Sequence, residues 1–114
     1  MKRIYLLLVS FASISMASVT STAAETITVK MKSLSYDPKQ IEAHVGDTVA
    51  WTNNAFSKHT ATSDDGKTFD TGEIKPDEAS KAVKLERPGE FKYHCKIHGT
   101  SMSGTIVVKA PGIK

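Results

Sequence analysis

Along most of the chain the hydrophobic residues recur at every second position, not at the 3.6-residue period of a helix. Ile27, Val29 and Met31 alternate with Thr28 and Lys30, which predicts a half-buried first strand. After a turn at Asp37-Pro38, the segment Gln40 to Val45 puts Ile41, Ala43 and Val45 on one face. Gly46-Asp47 turns the chain again, and Thr48 to Thr52 follows with Val49 and Trp51 sharing a face. Asn53 to Lys58 is polar and predicts a loop, and His59 to Thr62 resembles a short strand start. Beyond the Asp64-Asp65-Gly66 loop, Phe69 to Ile74 reads as a broken strand and Lys81 to Leu85 as another. Glu90 to Cys95 alternates cleanly, with Phe91, Tyr93 and Cys95 on one side, and Gly104 to Lys109 is a β-branched run. Only Asp77 to Ala82 suggests a helical turn. Seven or eight short strands, spaced by about 8–12 residues, predict an all-β fold, an antiparallel sandwich.

The N-terminus breaks this pattern. Lys2 and Arg3 precede an almost purely apolar Ile4 to Val9, then a softer stretch from Ser10 to Val19 and small residues from Ser21 to Ala24. That order is the order of a secretory signal. The apolar part is too short and too rich in Ser for a span of about 20 residues. Residues 1–24 are therefore expected to be cleaved, leaving 25–114 as one exported, soluble, periplasmic domain. No cysteine lies near the junction to carry a lipid.

Composition narrows the function classes. Hydrophobic residues make up 39% and charged residues 24%, as in ordinary soluble domains. Without Lys2 and Arg3 the 15 basic residues fall to 13, against 12 acidic ones, and they form no cluster that could track phosphates. Nucleic-acid binding has no electrostatic footprint. Small exported domains usually rely on disulfides, yet Cys95 is the only cysteine. A single thiol in an oxidising compartment must be buried or bonded to something.

The segment from Tyr93 to Met102 supplies the bond. Cys95 ends a strand, His98 follows three residues later and Met102 four after that. A thiolate, an imidazole and a thioether on one short segment are soft donors, the set that suits copper with a weak axial Met. A trigonal Cys/His₂ set needs a second His. His94 neighbours Cys95 and so points to the opposite face, and His44 lies on the polar face of another strand. His59 follows the Asn53–Lys58 loop, at the start of a strand able to lie beside that of Cys95. The predicted ligands are thus His59, Cys95, His98 and Met102. A cysteine hydrolase would leave Met102 unexplained and lacks a cleft. A structural zinc site would lack its fourth strong ligand. A copper-delivery protein would favour Met-rich, open sites, and only Met31 and Met102 remain beyond residue 24.

At these residues the sequence resembles the cupredoxins, the plastocyanin/azurin group of small blue copper proteins. The matching pieces are Val45 to Asn53, Asn54 to His59, Pro88 to Cys95 and Gly104 to Val108. Within the group, the compact size and short ligand loop look most like amicyanin, pseudoazurin and plastocyanin. The spacer Gly99-Thr100-Ser101 between His98 and Met102 is one residue longer than amicyanin-like loops and one shorter than plastocyanin-like ones. The resemblance implies a Greek-key sandwich holding one copper ion that cycles between Cu(I) and Cu(II), a non-enzymatic one-electron carrier. It further implies that the Thr60 N–H donates to the Cys95 sulfur and that Asn54 braces the two ligand loops. His98 would form the edge nearest solvent, ringed by Ile97, Gly99, Ala55 and Phe56. A monomer meeting redox partner proteins there by brief contacts is the expectation.

Overall fold

The computed structural model describes residues 23–111. The expected cleaved segment lies almost wholly outside the described residues. Eight strands run in the order β1 (Thr26–Met31), β2 (Tyr36–Asp37), β3 (Gln40–His44), β4 (Thr48–Asn53), β5 (Thr62–Ser63), β6 (Val83–Lys84), β7 (Gly89–Cys95) and β8 (Gly99–Lys109). They form two four-stranded sheets, ordered β2-β1-β4-β6 and β3-β8-β7-β5. The predicted all-β sandwich is the observed fold.

Period-two alternation is borne out strand by strand. In β4, Val49, Trp51 and Asn53 are buried while Thr48, Ala50 and Thr52 are only partly so. In β8, Met102, Gly104, Ile106 and Val108 face inward. The two inner faces close over Val29, Met31, Val49, Trp51, Tyr93 and Ile106. Trp51 lies 5.4 Å from both Phe69 and Tyr93, and its Nε1–H donates to the Tyr93 hydroxyl at 3.2 Å. The polar end of each large ring is thereby satisfied inside the core.

The sheets are not uniformly antiparallel. β1 pairs in parallel with β4, from Thr26 opposite Thr48 to Met31 opposite Asn53. β3 pairs in parallel with β8, from Gln40 opposite Thr105 to His44 opposite Lys109. Parallel neighbours need a crossover between them. β3 supplies the first one by leaving the sheet of β1 and joining the opposite sheet before the chain returns as β4. Side-chain alternation sets the buried face and carries no information on the direction of the partner strand.

Two local expectations change. Asp77 to Ala82 does not form a helical turn. Pro76 and Asp77 turn the chain, with Asp77 at φ 68°, and the segment then lies along β4. The N–H groups of Asn53 and Ser80 bond Glu78 O and Trp51 O at 2.9 and 2.8 Å. Backbone pairing with an exposed edge outweighs a single helical turn, which is costly to nucleate. The C-terminal strand also begins earlier than Gly104, at Gly99, so Met102 lies within β8.

Candidate metal centre

The centre sits where β7 turns into β8. Cys95 ends β7 with its side chain inward and fully buried. Lys96, Ile97 and His98 form the turn, and β8 starts at once. Strand pairing slips at this point, since His94 faces Ser103 while Cys95 faces Gly99. The slip leaves Thr100, Ser101 and Met102 as extra residues on β8, a bulge that re-aims side chains at the sheet end. Met102 emerges from it fully buried, in the same packed cluster as Cys95.

His59 arrives from the other side of the site. Its backbone bridges Ile74, its side chain is fully buried, and β5 just beyond pairs with β7 at Thr62–His94 and Ser63–Tyr93. The ring thus comes to lie beside the end of the Cys95 strand, as the pattern predicts. The Cys95 Sγ lies 3.7 Å from His59 Nδ1 and 3.5 Å from His98 Nδ1. The two imidazoles are 4.8 Å apart between ring centroids. Ligand atoms of His59, Cys95 and His98 all lie within 4.8 Å of one another, and among the described residues no other such group of three occurs.

These separations fit a metal. Bonds of about 2.0 Å to nitrogen and about 2.3 Å to sulfur, roughly 120° apart, place N and S about 3.7 Å from each other. His59 Nε2 is buried without a hydrogen-bond partner, so no second bond competes to turn the Nδ1 atom away from the thiol. Burial, and then the neighbouring His98, holds the His59 imidazole below its ordinary titration point of 6.5. A neutral imidazole with a free lone pair is the form that binds metals.

The surrounding hydrogen bonds fix the donors. The Thr60 N–H donates to Cys95 Sγ at 3.4 Å, as the resemblance implies. Tyr36, buried under Tyr93 with ring centroids 4.5 Å apart, donates its hydroxyl to Thr60 O. The alternation reading did not single out Tyr36. It lies in a strand of two residues, too short to show a period. Asn54 does not brace the two ligand loops; the buried side chain next to it, Asn53, instead ties its own loop to the Ile74 segment. Asn53 Nδ2 donates to Ser57 O and Ile74 O, and Oδ1 accepts from the Ala55 N–H, all at 2.8 Å. Asn54 is exposed. The signal was present in the chain, because Val49, Trp51 and Asn53 are spaced by two and share the buried face.

His94 and His44 stay outside the centre. His94 Nδ1 lies 2.6 Å from Asp64 Oδ1 on the outer face, and His44 is exposed on β3. At the open end, Phe56 is 100% exposed and Ile97 46%, Gly99 two residues beyond Ile97 is also exposed, and His98 between them is partly buried. Ala55, expected in the same rim, is buried instead. Its N–H is drawn inward by Asn53.

A two-sheet β-sandwich carrying a Cys/His₂ cluster at one end defines a cupredoxin, and the chain belongs to that family. A cupredoxin-like domain matches residues 3–108. A plastocyanin of Synechococcus sp. (strain JA-2-3B'a(2-13)) is 33% identical over 110 residues, covering 75% of either chain. The chloroplastic plastocyanin of Tetradesmus obliquus is 29% identical over 112 residues, covering 89% of this chain and 77% of its own. Among solved structures, an oxidised amicyanin variant is 25% identical with a TM-score of 0.66, covering 74% of this chain and 82% of that one. A purple cupredoxin from Nitrosopumilus maritimus shares the fold with a TM-score of 0.65 at 23% identity, over 73% of this chain and 99% of that one.

Proposed function

We propose that this protein is a type 1 copper protein, an exported, soluble one-electron carrier of the periplasm, cut after Ala24. The observation that carries the reading is the buried Cys95 thiol, 3.5 and 3.7 Å from two imidazole nitrogens on separate segments. Bound copper would supply the Cu(I)/Cu(II) couple. His59, Cys95 and His98 would be the close ligands and Met102 the weak axial one.

The chain's own residues supply three things. The bulge in β8, the Asn53 brace and the β5–β7 pairing hold the donors in place, so little needs to move when an electron arrives. Full burial of Cys95, Met102 and His59 excludes water and lowers the local dielectric. His98 is the one predicted ligand that reaches toward solvent, which makes its ring edge the electron's route out. Phe56 and Ile97 offer a small apolar rim there, suited to weak, brief encounters between redox partners. Copper delivery without electron transfer is the alternative reading, and the depth of the thiol favours retention over release.

Reconstitution with Cu(II) tests the assignment. The oxidised protein should turn intensely blue through thiolate-to-copper charge transfer. Cys95→Ala should abolish the band, while His94→Ala and His44→Ala keep it. A colourless copper form, or loss of the band in either of the last two, would reject the ligand set.

A further inference from the structure

A chain of hydroxyls runs behind the thiolate and ends on one carboxylate. Thr60 Oγ1 and Thr62 Oγ1 lie 2.9 Å apart, and Thr62 Oγ1 lies 3.0 Å from Asp70 Oδ1. Asp70 Oδ1 also accepts the Gly72 N–H at 2.9 Å, and its Oδ2 meets Lys96 Nζ at 2.8 Å. The Lys96 N–H, the peptide that follows Cys95, donates to Thr60 Oγ1 at 2.9 Å. Thr60 and Thr62 are both buried.

The direction of this chain follows from chemistry. An ionised carboxylate only accepts, so the Thr62 hydroxyl must give its proton to Asp70. Its oxygen is then left to accept from the Thr60 hydroxyl. The Thr60 proton is committed in turn, and its lone pair is held toward the Lys96 N–H. The hydrogen bond from Lys96 Nζ keeps Asp70 below the ordinary carboxyl value of 3.8, so the acceptor persists through neutral and mildly acidic pH. One residue, Thr60, therefore carries two opposed contacts. Its N–H donates to Cys95 Sγ and its hydroxyl oxygen receives the N–H just after Cys95.

The geometry points to Thr62 and Asp70 as positioning residues of the metal centre: they orient the Thr60 hydroxyl, which locks the His59–Thr60 segment to the Cys95–Lys96 segment and keeps the Thr60 N–H on the sulfur. The inference rests on the copper reading for its redox consequence and on hydrogen bonding alone for its structural one. An N–H donated to the sulfur draws density from the thiolate and favours the more electron-rich reduced state. Loosening it lowers the reduction potential.

The test compares Thr62→Val, which keeps shape and loses the hydroxyl, with Thr62→Ser, which keeps the hydroxyl. Amide hydrogen exchange by NMR in the metal-free protein reads the brace, and the potential of the copper-loaded protein reads its effect. In Thr62→Val the Thr60 and Lys96 amides should exchange about tenfold faster, the weight of one lost hydrogen bond. The potential should fall, and Thr62→Ser should match the wild type in both. Unchanged exchange and potential in Thr62→Val would overturn the assignment, and so would equal shifts in Val and Ser. Should Thr62→Val fail to fold, Asp70→Ala is judged by exchange at the same two amides, because its lost charge moves the potential directly. Faster exchange supports the brace and unchanged exchange rejects it. If the wild type binds copper without the thiolate band, the copper reading fails while the exchange result still decides the brace.

Discussion

Gly104 faces Tyr93 across the β7–β8 pair, and a Cβ at Gly104 would lie 2.6 Å from both Cζ and the hydroxyl oxygen of that ring. Nothing approaches a real Cβ so closely, so the glycine is what admits the ring. Tyr93 is almost fully buried, packs against the tilted Tyr36 ring and holds the Trp51 indole N–H. Burial pushes its hydroxyl up to about 12, so it stays neutral and keeps accepting the indole N–H throughout the working range. Gly104→Ala must displace the ring and, through Tyr36, loosen the Thr60 carbonyl at the metal centre. The expected cost is about 2 kcal/mol, as for other overpacked cores, measured as a lower midpoint in urea. A midpoint equal to that of the wild type would show that the ring can move freely.

The Asn53 and Asn54 side chains should behave oppositely. Asn53→Ala removes the side-chain partner of the buried Ile74 carbonyl, of the part-buried Ser57 carbonyl and of the buried Ala55 N–H. The expected loss is about 3 kcal/mol of stability, with faster release of copper to a chelator. Asn54→Ala, at an exposed position, should stay within about 0.5 kcal/mol of the wild type. Thermal unfolding of both variants checks the contrast, and similar losses would place the brace elsewhere.

Acid should weaken the metal-free protein in two stages. His59 titrates below 6.5 in the fold, chiefly because it is buried. The unfolded chain then binds a proton that the folded chain resists, so stability is complete above 6.5 and declines as pH falls toward the folded titration point. Asp47 is held below its ordinary 3.8 by the N–H groups of His44 and Glu25, so a second loss begins below that value. Urea midpoints of the metal-free protein should therefore drop as pH falls through 6.5 and below. His59→Gln should flatten that slope. An unchanged slope in the variant would assign the first stage to another group.

Copper should oppose the same decline. A ligand bound only by the folded state, at a thousandfold excess over its dissociation constant, adds about 4 kcal/mol. The metal-free chain should still be folded at room temperature, because Val49, Trp51, Tyr93 and Ile106 pack without the metal. Circular dichroism of the metal-free protein checks this, and a random-coil spectrum would contradict it.

The apolar rim is expected to govern encounters and not the chemistry of the centre. Phe56 and Ile97 are exposed, and neither offers a ligand atom. Phe56→Lys or Ile97→Lys should slow electron self-exchange between oxidised and reduced molecules several-fold, since like charges would then meet at the contact. The visible spectrum should stay the same. Self-exchange as fast as in the wild type would move the contact to another face.

The chain alone determined whatever depends on period and on side-chain chemistry. Alternation in Thr48–Asn53 and Glu90–Cys95 set which residues face the core, because successive side chains of a strand point to opposite sides. The soft donors Cys95, His98 and Met102, close together after one strand, announced a metal centre before any contact was known. The exclusion of His94 followed from the same alternation, and its pairing with Asp64 agrees. Tertiary structure decided what depends on which segments meet. The parallel pairing of β1 with β4 and of β3 with β8 depends on where the chain crosses between sheets, and hydrophobic period is blind to that. The bulge that turns Met102 inward exists only once β7 and β8 pair out of register. The Thr60–Thr62–Asp70–Lys96 ring joins residues up to 36 positions apart, and no local pattern marks them, because each is an ordinary polar residue until the fold brings its partners within hydrogen-bond reach.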